Sequence, residues 1–371
     1  VVGGGNAQNG IDVLAGSGYE ALRGMRVGLI TNHTGIDRAG NPTIDLLRSA
    51  PGVNLVALFS PEHGIRGLAD EKIGDTTDEV TGLPIYSLYG DRRQPSPEQL
   101  ASLDVLVFDI QDIGARFYTY ISTLGMAMES AAQAGKKFVV LDRVNPIGGT
   151  IVEGPILEGK TDFVAYHDIP VRHGMTVGEL ARMFREEKKF DVDLSVIQIR
   201  GWKRDQWQDE AGLPWINTSP NMRSLNAAAL YPGIGILERA VSVGRGTPTP
   251  FEVLGAPYID ENWLASKLTG LALPGISFDP IRFTPDASVH KGESCGGVRM
   301  TITDRRALRA VDVGIAIATV LNRQYPGRFD PQKTAHLLRD SATLEAIRNG
   351  TQPRWDHSAF MARRAKYLIY E

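Results

Sequence analysis

Val53-Asn54-Leu55-Val56-Ala57-Leu58-Phe59-Ser60-Pro61-Glu62-His63-Gly64 is an apolar run closed by a loop containing Pro and Gly, and the loop tip carries a carboxyl and an imidazole. A run this short, rich in β-branched and aromatic residues, reads as a buried strand ending in a tight loop. Three further segments repeat the pattern. Met25 to Ile30 runs into Thr31-Asn32-His33-Thr34-Gly35, Leu103 to Phe108 runs into Asp109-Ile110-Gln111-Asp112-Ile113-Gly114, and Lys137 to Leu141 runs into Asp142-Arg143-Val144-Asn145-Pro146. Parallel pairing gathers all four loops at one sheet edge, the edge at which α/β proteins bind ligands.

Helical patterns fill the intervals. Thr43-Ile44-Asp45-Leu46-Leu47 has apolar residues at helical spacing, and Ser96-Pro97-Glu98-Gln99 has a capping Ser, a first-turn Pro and a Gln three residues after the cap. Ser122 to Ala134 stops at Gly135, and Thr176-Val177-Gly178-Glu179 opens another amphipathic helix that runs to about Lys188. Strands alternating with helices predict an α/β fold, Rossmann-like in its parallel sheet. Beyond residue 225 the units shorten. Val298 to Ile302 alternates as a half-exposed strand, and Thr303 is expected to cap a long helix with Leu308, Val311, Ile315 and Val320 on its inner face. The division is placed at 10–228 for the sheet domain and 229–371 for a smaller α+β domain.

With 371 residues, two domains or one elaborated domain is the natural expectation. A net charge of -3 and scattered Lys and Arg give no footprint for nucleic acid. No apolar stretch reaches the roughly eighteen residues that a membrane helix needs. The Gly- and Asn-rich start at Val1, without Met, looks like an end left by removal of a leader or tag. Cys295 is alone, so internal disulfides and thiolate clusters are excluded, and its setting supplies no adjacent base.

The chemistry-bearing residues sit in the predicted edge loops. Glycoside hydrolysis generally needs two carboxyls, and Glu62, Asp109, Asp112, Glu153, Glu238 and Glu252 are candidates. His33, His63 and His173 fall in edge loops and, with Asp109 or Asp112, form a competing metal-ligand set, but none of the usual His spacings links them. Arg116, Arg172, Arg223 and Arg245 suit capture of a carboxylate. Phe117-Tyr118-Thr119-Tyr120 fits either a sugar-stacking face or the first turn of a packed helix. Dinucleotide, phosphate-loop and serine-elbow motifs are absent.

The four edge blocks, with Ala115-Arg116, Arg172-His173-Gly174-Met175-Thr176, Ser219-Pro220-Asn221-Met222, Tyr231-Pro232-Gly233 and Arg245-Gly246-Thr247 in the same order, resemble the NamZ-type exo-β-N-acetylmuramidases from about Gly10 to Glu371. The resemblance implies a bacterial cell-wall glycosidase, exported or attached to the envelope, that removes N-acetylmuramic acid from the non-reducing ends of peptidoglycan fragments. It implies an active site in a cleft between the two domains, with Glu62 carried over as catalytic; Glu62 is expected to act as general acid, and no cofactor or metal is expected. Asp109 or Asp112 is the expected second catalytic group, unless the substrate's own N-acetyl group attacks. Asn32, His33, His63, Arg116, Tyr118, Arg172, His173, Asn221, Arg223 and Arg245 are the expected substrate contacts, with Arg223 or Arg172 on the lactyl carboxylate. A metal-dependent hydrolase using His33, His63 and Asp109, and a non-catalytic sugar-binding protein, are the alternatives.

Overall fold

The computed structural model describes residues 6–66 and 74–371, so the start from Val1 to Gly5 lies outside the described residues. Twelve strands are present among the described residues: β1 (Arg26–Thr31), β2 (Asn54–Ser60), β3 (Thr76–Thr77), β4 (Pro84–Ser87), β5 (Val105–Asp109), β6 (Lys137–Leu141), β7 (Glu153–Ile156), β8 (Pro170–Arg172), β9 (Leu194–Ile197), β10 (Val253–Ala256), β11 (Ile276–Phe283) and β12 (Cys295–Ile302). Seven form one sheet in the order β3-β4-β2-β1-β5-β6-β9, parallel except for β3. The chain leaves β1 for β2 and β4 on one side, then crosses to β5 on the other. Loops leaving the carboxyl ends of β1, β2 and β5 therefore diverge and open a crevice, the topological switch point of a doubly wound sheet.

Pleating sorts the apolar runs between the two faces. Phe59, Ile30, Phe108, Val140 and Val196 align across neighbouring strands and pack toward the helices Tyr120–Gln133 and Val177–Glu187. The alternate row of Leu58, Leu29, Val107 and Val139 packs toward the helices Gly10–Gly16 and Thr43–Ser49. Each large apolar side chain so buried contributes roughly 1.5–3 kcal/mol. The two capping boxes read in the sequence are formed, at Ser96 with Gln99 and at Thr176 with Glu179.

The C-terminal part carries the antiparallel sheet β10-β12-β11 against the helices Leu225–Ile234, Glu261–Thr269 and Ala310–Gln324. The expected division at residue 228 falls within the first of these helices. Gly233 is required there, because a Cβ at this position would lie 1.7 Å from the Ala310 carbonyl oxygen where two helices cross. Thr303 does not cap the long helix, which begins at Ala310 after Arg309. Asp304 diverts the chain: its side chain accepts the Arg306 and Ala307 amides, holding a turn across the expected first helical residues.

The two parts are interlocked. The last residues return to the large sheet, where the Tyr370 hydroxyl donates to Asp142 at 2.5 Å and the Arg204 amide donates to the Glu371 carbonyl at 2.8 Å. Arg116, buried without exposure, donates to the carbonyls of Pro155, Ile169, Leu337 and Leu338 at 2.9–3.0 Å, tying the loop after β5 to the C-terminal part.

Candidate active site

The crevice widens into a cavity of about 560 Å³ between the two parts, within the roughly 300–1,000 Å³ usual for small-molecule sites. Glu62, His63, Tyr89 and Phe117 to Tyr120 line the sheet side, and Ser219, Asn221 and Met222 line one end. The C-terminal wall holds Tyr231, Glu238, Arg239, Arg245, Phe251, Ala287 to Val289 and His336.

Glu62 reaches this cavity because its loop turns sharply. His63 and Gly64 both adopt left-handed backbone, at φ 71° and 72°, immediately after the end of β2. A non-glycine residue in that conformation is held there by its surroundings. The half-buried Glu62 carboxylate accepts a hydrogen bond from the Thr119 hydroxyl at 2.5 Å, at the mouth of the helix that follows β5. The floor is aromatic. Tyr118 meets Tyr120 and Tyr231 edge-on at 5.1 and 5.7 Å between ring centres, and Tyr231 meets Phe251 at 4.9 Å. Burial raises the Tyr118 and Tyr120 hydroxyl pKa values, so both stay protonated and act as fixed hydrogen-bonding groups. Tyr118 pairs with the Thr218 hydroxyl at 2.7 Å and Tyr120 donates to the Thr218 carbonyl at 2.5 Å, which positions the Ser219 to Met222 loop.

Of the expected site residues, Glu62, His63, Tyr118, Asn221 and Arg245 line this cavity. Asn32 and His33 support it from beneath: Asn32 donates to the Tyr120 hydroxyl at 3.1 Å, and the His33 ring bonds the Asn217 carbonyl. Burial, ahead of the neighbouring His63, lowers the His33 pKa. Arg223 lies outside the lining and donates to the Pro220 carbonyl at 3.0 Å.

The other expected residues do architectural work. Asp109 is fully buried, its carboxylate saturated by Arg143 at 2.6 and 3.0 Å and by the Thr43 hydroxyl at 2.6 Å. It fastens the strand tips together and has no open face for a sugar. Arg172 is consumed by Glu153 and the Ile147 carbonyl, both at 2.7 Å, and Arg116 by its four carbonyls. Asp112 and His173 are buried beneath the loops, with Oδ2 and Nε2 4.0 Å apart. Burial lifts the Asp112 carboxyl to about 7 and, with neighbouring arginines, drops the His173 imidazole to about 3. His173 is therefore uncharged near neutrality, while Asp112 keeps its proton well above the ordinary carboxyl range. Among the described residues no three His, Cys, Asp or Glu side chains converge as a metal-binding group. Cys295 is buried, and burial pushes its thiol up to about 11.

Tyr89, Thr119, Glu238, Arg239, Phe251 and His336 were not expected as contacts. Glu238 was noted only as a carboxyl, while Arg239 follows the short helical turn Gly235–Leu237 and His336 lies within the short helix Ala335–Leu338, with no strand tip to mark either.

Two family models cover this arrangement almost end to end. The model described as exo-β-N-acetylmuramidase NamZ, N-terminal, matches residues 27–226, and its C-terminal counterpart matches residues 229–370. The chain belongs to the NamZ exo-β-N-acetylmuramidase family. A NamZ relative from Bacillus subtilis (strain 168), described as a peptidoglycan β-N-acetylmuramidase, is 42% identical over 379 residues, spanning 98% of this chain and 91% of the relative. Two DUF1343 family proteins of known crystal structure from Bacteroides fragilis NCTC 9343 share the fold. One is 39% identical with a TM-score of 0.87 over 99% of both chains, the other 30% identical with a TM-score of 0.80 over 98% of this chain and 99% of that one. Among the described residues no helix is long and apolar enough to cross a membrane.

Proposed function

We propose that this protein is a glycoside hydrolase that releases N-acetylmuramic acid from the non-reducing ends of peptidoglycan fragments, with Glu62 as the general acid. The observation that carries the reading is the placement of Glu62: a half-buried carboxyl at a strand tip, oriented by Thr119, opening on a cavity of sugar-binding size floored by aromatic rings. A general acid must reach the glycosidic oxygen in a site that limits water, and this wall meets both needs. Family membership supplies the substrate class.

The second participant is the acetamido group of the substrate itself. Among the described residues the other carboxyl lining the cavity is Glu238, which is paired with Arg245 at 2.9 Å, while Asp109 and Asp112 lie outside the lining. Attack by the neighbouring acetamido oxygen is the known alternative to a protein nucleophile. We further propose that it acts outside the cytoplasmic membrane, where the peptidoglycan wall itself lies. The direct test is to incubate the purified protein with a muramyl-terminated disaccharide, with and without chelator, and to assay free sugar. Release unaffected by chelator supports the reading. Binding without release would favour a sugar-binding protein, and loss with chelator would favour a metal-dependent hydrolase.

A further inference from the structure

We propose that Arg239, flanked by Arg245 and His336, is the pocket that reads the lactyl carboxylate, the group that distinguishes muramic acid from glucosamine. The inference rests on the muramidase reading and adds the residues that select the sugar. Arg239 lines the cavity, is exposed, and makes no hydrogen bond or ion pair among the described residues. Arg245 shares the wall with its guanidinium 5.4 Å from the Phe251 ring centre and is held by Glu238 at 2.9 Å. Among the described residues of this wall, Glu238 offsets one of the two guanidinium charges.

His336 completes the patch. Burial, and next the charge of Arg239, lowers its pKa, so it offers a neutral imidazole to a bound anion. Arginine is suited to this task because its planar fork meets both oxygens of a carboxylate at once. The other arginines considered for it are engaged: Arg172 and Arg116 are buried, and Arg223 braces its own loop. The placement also orients the sugar. The anionic substituent is drawn to Arg239 on the C-terminal wall, across the cavity from Glu62 on the sheet side.

The experiment titrates free N-acetylmuramic acid and its lactyl methyl ester calorimetrically into the wild type, Arg239→Gln and Arg239→Lys. A charge-assisted contact predicts that esterification weakens binding to the wild type by about 10- to 100-fold. In Arg239→Gln the acid and ester should bind within about threefold of each other, and Arg239→Lys should restore part of the preference. Because Arg239 is exposed, these variants are expected to fold, and circular dichroism verifies that. An acid-to-ester ratio in Arg239→Gln equal to that of the wild type would overturn the assignment. Release of sugar from a muramyl disaccharide by the same wild-type sample is scored separately. Its absence would remove the muramidase reading, while the titration still decides the pocket.

Discussion

Replacing Arg116 by Met is expected to cost stability on a scale that the structure sets. The guanidinium is fully buried and supplies hydrogen bonds to four carbonyls, of Pro155, Ile169, Leu337 and Leu338. Burial lowers its pKa only to about 10, so it remains charged at neutral pH. Met fills much of the space and donates nothing. Each orphaned buried carbonyl costs about 1–3 kcal/mol, and relief of the buried charge returns part of the total, leaving a net loss of about 3–5 kcal/mol. Against a typical unfolding free energy of about 5–15 kcal/mol, that is a substantial fraction. Urea unfolding followed by tryptophan fluorescence measures it, with Arg223→Met as the exposed control, expected to change stability by under about 0.5 kcal/mol. A loss below about 1 kcal/mol for Arg116→Met would refute the view that this side chain joins the two parts of the molecule.

Two further outcomes are expected. Asp112 holds its proton in the folded state up to about pH 7, against an ordinary value of 3.8, so its contribution to stability is present in acid and fades as pH climbs between those values. His173 resists protonation down to about pH 3, against 6.5, so its contribution is full above 6.5 and fades as pH falls toward 3. Denaturation between pH 4 and 8 should show Asp112→Asn losing the first dependence and His173→Gln the second; unchanged slopes in both variants would count against buried, uncharged groups. For the acetamido mechanism, replacing the substrate's N-acetyl by N-trifluoroacetyl should slow turnover at least about tenfold, since a weaker nucleophile raises the barrier; an unchanged kcat would point to a protein nucleophile.

Strand tips were legible in the sequence because parallel β-strands buried on both faces leave continuous apolar runs and their loops need Gly and Pro. That logic placed Glu62, His63 and Tyr118 in the cleft. It also overreached, since a polar residue at a strand tip serves architecture as readily as chemistry. Asp109 and Arg172 occupy the expected edge and are consumed by Arg143 and Glu153, a distinction that depends on contacts 34 and 19 residues apart in the chain. The C-terminal wall was less legible for a different reason. Arg239 and His336 are brought to the cavity by helix packing between distant segments, and neither periodicity nor local turn chemistry records that approach. The turn at Asp304 shows the same limit on a small scale, where one side chain capturing two amides moved the start of a helix from Thr303 to Ala310.

The central claim is that Glu62 donates the proton to the leaving group, and leaving-group dependence tests it most directly. Wild type and Glu62→Gln are compared on a muramyl disaccharide, whose sugar alcohol leaves poorly, and on the 4-nitrophenyl muramide, whose phenolate leaves without help. The variant should lose about 10²- to 10⁴-fold in kcat on the disaccharide and far less on the aryl substrate. Disaccharide turnover by Glu62→Gln within a few-fold of the wild type would contradict the account.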